Sequence, residues 1–150
     1  MRLFRPCVEL KRAPLQASQH ILTKEGAPYM ECPVVLVVED EWLVRGMIAD
    51  HLRAAQCRTF EAHTGEVAVA FLDTREHVDV VFTDIQLGGT LTGWHVGQRF
   101  RDAFPRISVI YTSGAIKPDP ALAVAQSVFI RKPYALDAIL NACRHALFRT

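Results

Sequence analysis

From Pro33 onward the apolar and polar positions switch repeatedly between two patterns. One is a short β-branched run such as "VVLVVE" (34–39), the pattern of a strand buried on both faces. The other has helical spacing: Val44, Met47, Ile48, Leu52 and Ala55 fall on one face of a helix. "CRTFEA" (57–62) then reads as a strand, and "GEVAVAFLDTR" as a helix capped by Thr64. "VDVVFTD" (78–84) is a second strongly apolar strand. Gly88, Gly89 and Gly93 mark a loop, and "WHVGQRFRDAF" (94–104) a helix ended by Pro105. "ISVIYTS" (107–113) is a strand, and Asp119 with Pro120 opens a short helix reaching about Ala125. "SVFIRK" (127–132) is the last strand. Leu136, Ile139, Leu140, Cys143 and Leu147 set the apolar stripe of a final helix.

Strands alternating with helices predict an α/β fold with a parallel sheet. Five units are too few for an eight-stranded barrel, which leaves a doubly wound five-stranded parallel sheet. Its expected order is 2-1-3-4-5, flavodoxin-like, with the switch point between strands 1 and 3. Residues 1–31 lack periodicity, are broken by Pro6, Pro14, Gly26 and Pro28, and read as an N-terminal extension before a domain over 32–150.

Composition narrows the function classes. The chain has 150 residues, 50% hydrophobic and 22% charged, ordinary for one globular domain. No apolar run is long enough to cross a bilayer and no signal peptide is visible, so a cytoplasmic protein without a membrane partner is expected. Five bases against two acids precede Met30, giving that segment +3 of a total of +1 and leaving −2 on the remainder. A slightly acidic body argues against nucleic acid as a partner. Cys7, Cys32, Cys57 and Cys143 show no C-x-x-C or zinc spacing, so reduced thiols are expected. Trp42 and Trp94 begin helices and are expected to be packing residues.

The chemistry gathers at the carboxyl ends of the strands, where open α/β sheets place their sites. Strand 1 ends in Glu39 and Asp40, strand 3 in Asp84, strand 4 in Ser113 and Gly114, and strand 5 in Lys132 and Pro133. No glycine-rich phosphate loop of either nucleotide-binding type is present. Clustered carboxylates repel unless a cation joins them, and a hard divalent ion such as Mg²⁺ suits oxygen ligands. An aspartate beside such an ion can attack phosphorus to give an acyl phosphate. Lys132 and Ser113 would then neutralise and hydrogen-bond the phosphoryl oxygens.

"VVLVVEDEW", "VVFTDIQLGG", "VIYTSGA" and "VFIRKPY" resemble, in order, the four signature blocks of the response-regulator receiver family, over residues 33–148. The resemblance implies a stoichiometric phosphoacceptor, not a turnover enzyme, with Asp84 as acceptor and Asp40 as direct Mg²⁺ ligand. Glu39 is then the second acid-pocket residue, and the Gln86 backbone carbonyl completes the metal shell. Ser113 would couple to Phe129, which turns inward on phosphorylation. Ser113 as a plain turn residue and Phe129 as ordinary core stay open. The implied partners are a sensor histidine kinase or histidine phosphotransfer protein and a downstream protein target, with a homodimer also possible. Single-domain proteobacterial receivers look most similar, with no effector domain after Thr150. Two departures stand out: Gly88 replaces the usual proline in a loop one residue longer, and a short Ser113–Lys132 stretch truncates the fourth helix. A haloacid-dehalogenase-like phosphotransferase needs a second aspartate two residues beyond Asp84, where this chain has Gln86. A degenerate receiver acting purely as an interaction module usually lacks one of the acids or the lysine, and all are present here.

Overall fold

The computed structural model describes residues 32–115 and 117–148, so the expected extension over 1–31 lies outside the described residues. Five strands, β1 (Val35–Val38), β2 (Thr59–Ala62), β3 (Val80–Asp84), β4 (Ser108–Ser113) and β5 (Val128–Arg131), form one sheet in the order β2-β1-β3-β4-β5. Every neighbouring pair is parallel. The helices are α1 (Trp42–Ala54), α2 (Gly65–Ala70), α3 (Gly93–Ala103) and α4 (Leu136–Ala146), with a 3₁₀ turn at Phe71–Thr74 after α2. The order reverses between β1 and β3, which opens a crevice at the carboxyl ends of those strands.

The period of two along each strand divides the core. Leu36, Val38 and Val81 face a cluster with Trp94, Val96 and Phe100 of α3 and Ala68 of α2. Val35, Val37, Val80 and Phe82 face the other side, against Ile48 and Leu52 of α1 and Ile139, Leu140 and Cys143 of α4. Apolar burial on both faces is why β1 and β3 read as continuous apolar runs. Thr64 caps α2 as expected, its Oγ1 accepting from the Val67 N–H at 3.1 Å.

Four expectations fail, each for a local reason. No helix forms between Asp119 and Ala125. The Asp119 side chain accepts from Ala121 N–H at 2.9 Å and its carbonyl accepts from Leu122 and Ala123, but the turn stops there. The five residues between Pro120 and Gln126, whose φ is +59°, are too few to repay helix nucleation. On α1, Met47 is exposed; Ile48, Ala49 and Leu52 carry the buried face, with Val44 and Ala55 beside it. Trp42 is exposed, while Trp94 packs as expected, its ring 4.5 Å from that of Tyr111. Finally, Cys32 and Cys57 are disulfide-bonded, not reduced, with Cα atoms 4.8 Å apart. Parallel pairing sets Val35 opposite Thr59, so the segments leading into β1 and β2 run side by side, a proximity that a separation of 25 residues conceals. Cys143 is free and buried in the core. Among the described residues no helix is long and apolar enough to cross a membrane.

Candidate functional site

Glu39 and Asp40 follow β1 because the strand stops where its apolar run stops. Glu39 is held in place twice: its carbonyl accepts from Arg45 Nη1 at 2.9 Å, and its Oε1 from the Glu41 N–H at 3.2 Å. Arg45 is itself tied to Glu61 by an ion pair of 3.3 Å. Asp84 ends β3 with its Oδ1 accepting from the Gln86 N–H at 3.0 Å. The Gly88 N–H donates to Asp40 Oδ2 at 3.1 Å, so the loop after β3 is fastened to the end of β1. Gly93 is required at the far end of that loop, since a Cβ there would collide with the Asp84 carbonyl. Its N–H closes the loop onto the Ile85 carbonyl at 2.9 Å.

Lys132 enters from the other side. Its backbone N–H donates to the Ser113 carbonyl at 3.1 Å, carrying the pairing of β4 with β5 one step further, and the peptide to Pro133 is cis. Its Nζ reaches Asp84 Oδ2 at 2.5 Å and Glu39 Oε2 at 2.9 Å. Burial alone would lower the lysine pKa, but the hydrogen bonds and charges of Asp84 and Glu39 outweigh it and hold the ammonium above its ordinary range. Burial pushes Glu39 above its ordinary 4.5, and the neighbouring Asp84 charge adds to this, while Lys132 pulls the other way.

One carboxylate oxygen from each of Glu39, Asp40 and Asp84 lies within 4.8 Å of the others. Three carboxylates and one ammonium leave two negative charges, which one divalent cation neutralises. The donor set is all oxygen and Asp40 is exposed, so the residues fit a hard ion that keeps part of its water.

Ser113 is buried at the end of β4, its Oγ accepting from the Ala115 N–H at 3.3 Å. Phe129 lies opposite Tyr111 on β5, two positions from Ser113's own pairing with Arg131, so Phe129 and Ser113 share a sheet face. Phe129 is half-buried against the cluster that contains Tyr111 and Val124. Gln86 and Ala115 are both exposed. The structure thus brings Glu39, Asp40, Asp84 and Lys132 together and puts Gln86 and Ser113 at their margin. Sequence reasoning missed Arg45 and the Gly88 N–H, because a backbone donor has no side-chain signature and Arg45 reads as one more helix-surface charge.

Residues 35–144 match the model of the family described as the response regulator receiver domain. The autoinducer 1 sensor kinase/phosphatase LuxN of Vibrio campbellii is 27% identical over 120 residues, covering 78% of this chain and 13% of that protein. The heme response regulator HssR of Staphylococcus haemolyticus is 25% identical over 116 residues, or 76% of this chain and 51% of that one. The chain therefore spans about half or less of the length of these curated relatives. A response regulator receiver protein from Sinorhizobium medicae superposes with a TM-score of 0.75 at 23% identity, covering 80% of this chain and 98% of that structure.

Proposed function

Because this chain belongs to the response regulator receiver family of two-component signalling, we propose that it takes a phosphoryl group onto Asp84 from a phosphohistidine. The donor is a sensor histidine kinase or a histidine phosphotransfer protein. An Asp84 carboxylate oxygen forms the bond to phosphorus as the phosphorus–nitrogen bond of the donor breaks, and the imidazole leaves. The observation that carries this reading is the bridge from Lys132 to both Asp84 and Glu39 beside the three-carboxylate cluster. In this reading Lys132 follows the charge from the carboxylate to the new phosphoryl oxygens, and Ser113 hydrogen-bonds one of them. Asp40, Asp84, the Gln86 carbonyl and, at the margin, Glu39 would hold Mg²⁺, which supplies charge neutralisation for the transferring group. Phe129 is the aromatic partner of Ser113 in the resulting switch. The chain acts as a stoichiometric phosphoacceptor in the cytoplasm, with a receiver domain over 32–150 after an extension over 1–31.

A protein donor is supported by the rim of the crevice. Immediately after the acid pair, α1 exposes Trp42 at 73%, Leu43 at 53% and Met47 at 52%, an apolar strip where a helical partner can dock. The deciding experiment is intact-mass measurement after incubation with a small phosphodonor and Mg²⁺. Wild type gains one phosphoryl group, and Asp84→Asn, isosteric but a poor nucleophile, gains none. Equal phosphorylation of that variant would place the acceptor elsewhere.

A further inference from the structure

Glu66, in the first turn of α2, is exposed and stands outside the acid cluster, yet it is heavily engaged. Its Oε1 accepts from the Thr90 N–H at 2.8 Å, the Thr90 hydroxyl at 2.7 Å and the Leu91 N–H at 3.0 Å. These donors, the Thr90 hydroxyl foremost, hold its carboxyl far below the usual range, at about 2. The loop approaches α2 closely enough that a Cβ on Gly65 would come within 2.7 Å of Leu91 Cβ. Gly89, at a φ of +113°, leaves the space that the Glu66 carboxylate occupies, since a Cβ there would sit 2.6 Å from Oε2.

The segment that Glu66 grips is the one that serves the acid cluster. Gly88 donates to Asp40 at one end of the grip, and Gln86 donates to Asp84 two residues earlier. With three glycines in seven residues (87–93), the loop has little stiffness of its own. A charged acceptor binding three donors is a strong, geometrically specific clamp. We infer that Glu66 is a positioning residue for the cation site: by fixing Thr90 and Leu91 it holds Gly88 against Asp40 and keeps the Gln86 carbonyl at the acid cluster. This inference rests on the reading that Glu39, Asp40 and Asp84 form the Mg²⁺ site.

Calorimetric titration with Mg²⁺ alone tests it on wild type, Glu66→Ala, Glu66→Gln and Asp40→Asn, beside the melting temperature of each. Glu66→Ala should bind Mg²⁺ about tenfold more weakly, the lower end of losses for groups that orient a metal's ligands. Glu66→Gln keeps an acceptor oxygen for the two amides and should stay within about threefold of wild type. A lower melting temperature in Glu66→Ala with Mg²⁺ affinity unchanged would make Glu66 purely structural and overturn the inference. If Asp40→Asn also binds like wild type, the cation site itself is misplaced, whereas a weakened Asp40→Asn beside an unaffected Glu66→Ala defeats the Glu66 role alone. Should Glu66→Ala not fold, Gly89→Ala attacks the same contact from the loop side. It should show the same weakening, and wild-type affinity there would again overturn the role of Glu66.

Discussion

Lys132, at the end of β5, reaches across β4 and β3 to place its Nζ 2.9 Å from Oε2 of Glu39, the buried acid at the end of β1. Glu39 is 1% exposed, and burial makes its folded-state pKa higher than its ordinary one even with that ammonium beside it. Folding therefore favours the protonated acid. The stability contributed by this group is complete below about pH 4.5 and is lost as pH rises through the raised value. Glu39→Gln should match wild type near pH 4 and exceed it near pH 8 by about 1 kcal/mol, the usual size of a single-site effect. Urea unfolding at both pH values without Mg²⁺ checks this, and a variant less stable at pH 8 would contradict it.

Ala115 follows β4 by two residues and is exposed beside the site, as is Gln86. A phosphoaspartate is lost when water attacks opposite the Asp84 oxygen; an alanine is too small to obstruct water, and a glutamine supplies no base near neutral pH. Ala115→Leu should slow decay of the phosphorylated mass several-fold, about 1 kcal/mol in the barrier, with Mg²⁺ affinity unchanged. Decay as fast as wild type would remove Ala115 from the water path.

The Cys32–Cys57 bond, between residues 25 apart in sequence, closes a loop that contains both β1 and α1. Loop-closure entropy at that length gives about 3 kcal/mol of stabilisation. Cys32→Ser and Cys57→Ser should each lose a similar amount, and adding a reductant to wild type should reproduce it while leaving both variants unmoved. Disulfides are rare in reducing compartments, so the same measurement asks in which redox state the protein works. Peptide mapping without reduction that shows no Cys32–Cys57 linkage would refute the pairing.

Two glycines separate helix propensity from packing. A Cβ on Gly97 of α3 would run into the Tyr111 phenol, whereas one on Gly46 of α1 would meet nothing within 4 Å. Gly97→Ala should destabilise by about 2 kcal/mol through overpacking. Gly46→Ala should stabilise by roughly 0.5–1 kcal/mol through propensity alone. Thermal unfolding of the pair distinguishes the two effects by sign.

The sheet was legible because β1, β3 and β4 are apolar on both faces, and a β-branched run of that kind fits few other places. The acids and Lys132 were legible because strand order dictates which ends converge. The stretch from Asp119 to Ala125 misled because a good N-cap signals where a helix can begin, not whether enough residues follow to sustain it. Met47 and Trp42 misled because apolar character reports burial only on average. Glu66 was invisible for a different reason: its partners lie 24 and 25 residues away on a loop whose path no periodicity records.

The missing helix between β4 and β5 bears on how the site moves. β5 is one of the two edge strands; Val128, Phe129 and Ile130 are half-buried and Arg131 is exposed, while β1 and β3 are buried throughout. Regions with few buried contacts open locally at a fraction of the global unfolding free energy. In an amide-exchange experiment β5 should therefore lose its protons well before β1 and β3. Phe129 belongs to this strand and Lys132 follows it directly, so the cation that reaches Asp84 and the aromatic that shares a face with Ser113 are carried by an edge strand less buried than β1 and β3. Acids on a rigid centre and a cation on a yielding edge allow the pocket to stay assembled while its outer wall rearranges.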